Sequence, residues 1–135
     1  MRFVILGCNL DALSNAHTTF DNNPSASITI YTEDAEAGFS ENPLEPIILE
    51  NILDNLPSDW YGSIPKSVER KNPSSTSTSW LCKALAIRLA ERGAQFLLHT
   101  KILDVDEENQ EISFRGGGAT PSGTYRYDQL YDFRQ

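Results

Sequence analysis

Gly7, Asn9 and Ala12 take the first, third and sixth places of the stretch Gly7-Cys8-Asn9-Leu10-Asp11-Ala12, which follows an apolar run and precedes a helical pattern. Glu33 lies 26 positions past Gly7, with Asp34 behind it. Small residues at those places, and an acid at that distance, match the dinucleotide-binding fingerprint G-x-G-x-x-G/A. The first place needs a tight turn. The second must let a pyrophosphate approach the backbone at a helix N-terminus, and the third must let the helix pack close to the strand. Gly7 meets the first demand and Ala12 the third. Asn9 adopts the left-handed conformation more readily than most residues, but its side chain crowds the phosphate position. Asp11 stabilises a bare helix end and repels a bound pyrophosphate. Glu33 or Asp34 either accepts from a ribose hydroxyl or is a solvated turn residue. An acid there disfavours NADP, whose 2′-phosphate wants an arginine.

Other reactive side chains carry less. Cys8 sits at a strand–helix junction, where amides and the helix dipole lower a thiol pKa; Asp11 opposes this, and a packed, inert thiol is the preferred reading. Cys8 and Cys82 are 74 residues apart, with no CxxC and no metal spacing, as in a reduced cytosolic protein. His17 falls on an apolar helix face and His99 at a strand end, and neither joins a serine or cysteine nucleophile in a recognisable motif. Trp60-Tyr61 either lines a cleft or interface or plugs the edge of a core. Glu41, Glu45, Glu50, Asp54 and Asp59 lack metal-site spacing and read as solvated charge.

The elements that must position these residues are legible in the periodicity. Arg2 to Leu6 is a continuous apolar run of the kind buried on both faces in a parallel sheet. From Leu10 to Phe20 the period changes: Leu13, Ala16, His17 and Phe20 line one helix face, and Asn22-Asn23-Pro24 ends it. Ile28 to Tyr31 is a second strand. Residues 32–78 form an irregular inserted segment, with a short helix expected from Pro46 to Asn55 and an exposed Ser/Thr-rich loop from Lys71 to Ser79. Trp80 to Arg92 is a helix carrying Leu81, Leu85 and Leu89 on one face, with Gly93 as its left-handed cap. Strands are expected at Ala94–Leu98, Lys101–Val105 and Gln110–Arg115, the last with Ile112 and Phe114 on one side, and Asp106 to Asn109 make a polar turn. Thr124 to Phe133 is strand-like.

The chain has 135 residues, room for one domain (1–135) that buries roughly two-thirds of its unfolded surface. Eleven basic against nineteen acidic side chains give a net charge of −8, which repels phosphate backbones and anionic membranes and makes nucleic-acid binding a poor expectation. The N-terminal apolar run is too short for a signal peptide or a membrane span, so a cytoplasmic location is expected.

Phe3-Val4-Ile5-Leu6-Gly7, the helix, and Ile28 to Glu33 resemble the N-terminus of FAD-dependent oxidoreductases of the glutathione-reductase and amino-acid-oxidase superfamily. Leu81 to Phe96 is similar to the helix–Gly–strand of that family. Lys101 to Val105 resembles its next strand, whose main chain at the position of Ile102 reads the adenine ring. Gln110 to Tyr125 resembles the β-meander, and Tyr127 to Tyr131 the strand that returns to the parallel sheet. The resemblance implies an α/β fold: a Rossmann-like parallel sheet with flanking helices and a small antiparallel β-meander. It also implies an adenine dinucleotide, FAD ahead of NAD, held by Gly7, Cys8, Asn9, Ala12, Glu33 and Ile102. Two departures stand out. The second fingerprint glycine is lost, and the chain stops at Gln135, where the family continues into flavin-ring and substrate regions, as a truncated FAD/NAD(P)-binding unit would. The alternative is a non-enzymatic module of the same fold with a lost nucleotide site. That module would act through self-association or a partner subunit at the truncated sheet edge.

Overall fold

The computed structural model describes residues 1–34, 54–62, 75–117 and 122–134. Most of the irregular segment 32–78 and of the expected helix Pro46–Asn55 lies outside the described residues. The first strand, β1 (Arg2–Leu6), is the centre of the molecule. It pairs in parallel with β2 (Ser27–Tyr31) on one side, Phe3 opposite Ile28 and Leu6 opposite Tyr31. Beyond β2 lies β3 (Gln95–Leu97), also parallel. A second sheet, β4 (Thr100–Asp106), β5 (Glu111–Gly116) and β6 (Gly123–Arg126), is an antiparallel meander. The chain then returns as β7 (Gln129–Asp132), parallel to the other side of β1, so the main sheet runs β3-β2-β1-β7. The α/β, Rossmann-like architecture with its meander is the one the sequence leads to.

The continuous apolar run of β1 has a direct explanation. Phe3 and Ile5 point into a core shared with the helices, while Val4 and Leu6 point into a second core under the meander. A strand buried on both faces cannot alternate apolar with polar. On the helix side, α1 (Leu10–Asn22) buries Ala12, Leu13, Ala16, His17, Thr19 and Phe20. Beside it α2 (Ser75–Glu91) buries Leu81, Cys82, Leu85 and Leu89. On the meander side, Ile112 and Phe114 of β5 cover Val4, Leu6 and Tyr31, with the Tyr31 and Phe114 rings 5.0 Å apart.

The end of α2 follows from Gly93. At φ 107° it lets its own N–H reach Ala90 O (3.1 Å) and the Ala94 N–H reach Leu89 O (2.9 Å), the paired bonds of a Schellman cap. The start of α2 corrects the sequence reading. Residues 75–79, expected in an exposed loop, are helical. Serine and threonine are tolerated in a first helical turn, and an apolar-period argument cannot detect such a turn. The strand-like stretch Thr124–Phe133 is two strands in different sheets, divided at Tyr127-Asp128.

A short 3-10 turn (Ser58–Trp60) is pinned to both helices by one polar cluster. Trp60 stacks on His17, ring centroids 5.0 Å apart and planes 11° from parallel, and its Nε1 donates to Asp21 (3.1 Å). Arg92 donates to the other Asp21 oxygen (2.7 Å) and to His17 Nδ1 (3.1 Å). Trp60 thus plugs the edge of the core, one of the two roles open for it. Because the Leu85 carbonyl can only accept, His17 Nε2 carries the proton in their 3.0 Å bond. Nδ1 is therefore the acceptor for Arg92. Burial first, and then the Arg92 charge, lower the His17 pKa to about 4. Cys8 and Cys82 are both buried, and neither is in a disulfide.

Candidate functional site

The carboxyl ends of β1, β2 and β7 open onto a cavity of about 690 Å³. In open parallel sheets that is where ligands bind, at the point where neighbouring connections leave in opposite directions. Three backbone seams shape the rim. The Gly7 N–H bonds Tyr31 O (2.8 Å), and the Phe133 N–H bonds Leu6 O (2.8 Å), which carries the β1–α1 turn alongside both neighbouring strands. The Thr32 N–H reaches Leu97 O and the Thr100 N–H reaches Thr32 O, sewing the end of β2 to the start of the meander. His99, with φ 52°, turns the chain from β3 into β4 and donates its N–H to Asp34 O (3.1 Å). That is a structural role for His99.

Five of the six sequence-derived candidates meet at this cavity: Gly7, Cys8 and Asn9 on the turn, Glu33 past β2, and Ile102 on β4. The sixth, Ala12, lies beneath them, fully buried in the helix-side core, where its small side chain lets α1 pack on the sheet. Asp34, the alternative acid, also lines the wall. Ile102 precedes a β-bulge, a register shift between Ile102 and Asp104 that leaves Leu103 outside, 55% exposed. Bulges re-aim side chains next to binding sites. The floor is Tyr31, whose hydroxyl pKa is pushed up to about 12 by burial, so it stays a neutral phenol.

The turn itself differs from a bare fingerprint. Gly7 carries the left-handed conformation (φ 101°), and Asn9 does not: it is extended at φ −83° and serves as the N-cap of α1. Its Oδ1 accepts the Ala12 N–H (2.9 Å) while its Nδ2 donates to Phe133 O (2.9 Å). One amide of the helix N-terminus is therefore satisfied by a side chain. A Cβ on Gly7 would stand 3.2 Å from both the carbonyl carbon and the oxygen of Phe133 and 3.4 Å from Arg134 N. The glycine is required by the chain crossing over it as well as by its dihedral.

Sequence reasoning missed Thr32, Thr100, Lys101, Asp132, Phe133 and Arg134 as wall residues. The available signal was topological. Once residues 127–131 are read as a strand beside β1, the residues after it must face the turn after β1. Arg134 pairs with Asp132 through Nε–Oδ1 (3.0 Å) and Nη2–Oδ2 (2.8 Å), and this hydrogen bonding holds the Asp132 carboxyl below its usual pKa. Among the described residues no group of three or more His, Cys, Asp or Glu could hold a metal ion.

No protein-family model and no curated protein matches the chain. Solved structures do. A pyridine nucleotide-disulfide family oxidoreductase from Enterococcus faecalis V583 superposes with TM-score 0.57 at 19% identity, over 98% of this chain and 22% of that one. An NAD-dependent persulfide reductase from A. fulgidus gives TM-score 0.58 at 18% identity, over 98% and 21%. The flavin-dependent halogenase CmlS gives TM-score 0.62 at 16% identity, over 96% and 28%. The chain thus spans less than a third of the length of each of the three. The likeness shows the fold: a Rossmann-like α/β unit.

Proposed function

We propose that this chain, as one domain of residues 1–135, binds an adenine dinucleotide in the cavity at the carboxyl ends of β1, β2 and β7, with FAD the first candidate and NAD the second. The observation that carries the proposal is the convergence of Gly7, Asn9, Glu33 and Ile102, up to 95 positions apart in sequence, on one cavity. The residues fit the adenosine end directly. Glu33 is an exposed carboxylate able to accept from ribose hydroxyls, and Ile102 offers a half-buried apolar wall and its main chain to the base. The phosphate end fits once Asn9 yields the Ala12 amide, with Arg134 as the cationic wall residue there and Lys101 on the adenine side. A bound flavin would supply the redox chemistry, and this chain's residues would bind and orient it.

Thermal unfolding with FAD, NAD and ADP in turn tests the reading. A ligand at a hundred times its Kd should stabilise the fold by about 2.7 kcal/mol and raise Tm, and at equal concentrations of the three FAD should give the largest shift. No shift with any of the three would remove the proposal.

A second reading rests on a separate observation. Among the described residues β7 pairs only with β1, so its outer edge is open, and an open edge is a template for another strand. In that reading the fold is an interaction module whose partner, a second copy or a partner subunit, adds to β7.

A further inference from the structure

Phosphate is the hardest part of an adenine nucleotide for this cavity to accept. Its wall carries three carboxylates, Glu33, Asp34 and Asp132, and Asp11 occupies the first turn of α1. The whole chain adds a net charge of −8. Two cations answer them. Lys101 stands on β4 beside Ile102, on the adenine side. Arg134 is the cation of the opposite side. The backbone that leads into it packs on Gly7, 3.2 to 3.4 Å from where a Cβ would be, and is tied to Asn9 through Phe133 O. Arg134 therefore belongs to the turn where a pyrophosphate would lie.

Its present partner is weakly committed. Asp132 is two residues away, and the fork-to-fork pair leaves the Arg134 and Asp132 side chains 46% and 43% exposed. Exposed pairs of this kind contribute little stability, so separating them is cheap. A phosphate offers the same two-oxygen edge as a carboxylate, with more charge, and a guanidinium is the side chain that binds such an edge bidentately.

We infer that Arg134 is the phosphate-selecting residue of the cavity and that the diphosphate of an adenine nucleotide displaces Asp132 from it. Asp132 is thereby a built-in competitor, an internal carboxylate holding the phosphate place until a better anion arrives. The inference rests on the adenine-nucleotide reading above and deepens it by assigning the residue that tells a nucleotide from a nucleoside.

Titration calorimetry of adenosine and ADP against the full chain and two variants tests it. Arg134→Gln should weaken ADP by about 10- to 100-fold, the loss of a charge-assisted pair, and leave adenosine within about twofold. Asp132→Asn should act in the opposite direction, tightening ADP several-fold while adenosine again stays put. Unchanged ADP affinity in Arg134→Gln overturns the inference and leaves the nucleotide reading intact. A parallel loss of adenosine also overturns it, because that marks damage to the turn. Failure of the unaltered protein to bind either compound overturns the nucleotide reading itself, and the inference with it.

Discussion

Asn9 is the residue on which the site turns. Its amide caps α1 and straps that helix end to the segment after β7, so one side chain holds together two elements that are 124 positions apart. Ligand binding and local stability therefore compete for the same atoms. Replacing Asn9 with glycine should restore the fingerprint and tighten ADP, because the Ala12 amide is released toward the phosphate. It should also lower stability by about 0.5–1 kcal/mol, the cap itself contributing a few tenths when exchanged for glycine and the Phe133 bond the rest. Calorimetry and denaturant melts on the one variant read both effects. The spacing of Gly7, Asn9, Ala12 and Glu33 made this part of the site legible in the sequence. The Asn9–Phe133 bond and the place of the Asp132–Arg134 pair beside the turn were not legible, because both depend on where β7 places residues 132–134.

Elements were read better than their ends. The two-faced burial of β1, the Leu81/Leu85/Leu89 stripe and the Gly93 cap all act through period or backbone strain, which a sequence displays. The helical start at Ser75 carries no apolar period, and the division of residues 124–133 depends on two different sheets competing for one strand-like run. The His17 cluster is the element-scale device that sequence could not show, since it joins α1, α2 and the 3-10 turn through residues 17, 21, 60 and 92. Its consequence is a pH dependence of known sign. His17 titrates near 6.5 when unfolded and at about 4 in the fold, so between those values the unfolded chain holds the extra proton. Stability from this group is complete above pH 6.5 and is lost as pH falls towards 4. The step amounts to about 2 kcal/mol once screening near the exposed Arg92–Asp21 rim is allowed for. His17→Leu should flatten the stability profile between pH 4 and 6.5, measured by urea midpoints, and should be less stable at pH 7 for want of its two hydrogen bonds. A slope that survives the substitution would assign it to the carboxylates instead.

For the whole molecule, the outer edge of β7, unpaired among the described residues, and the charge of −8 pull against each other. Two copies that pair edge to edge must bring like charges together, so association should strengthen as salt rises from 0.01 to 0.15 M and the screening length falls from about 30 to about 8 Å. Sedimentation velocity across that range checks this, and Gln129→Lys, an exposed edge charge, should keep the chain monomeric. A mass independent of salt and concentration would remove self-association from the second reading. The β1–β7 pairing also bears on how the chain comes to be folded at all. Arg2 donates its N–H to Asp128, 126 positions away, and Phe3 lies opposite Gln129. At 5–20 residues per second, β1 is synthesised roughly 6–25 s before the strand that completes its pairing. Val4 and Leu6, which end with no exposure at all, spend that interval without the Ile112 and Phe114 side chains that will cover them. The centre of the sheet is thus made well before the strand that completes it. Nascent chains stalled before β7 should be the protease-sensitive, aggregation-prone form of this protein.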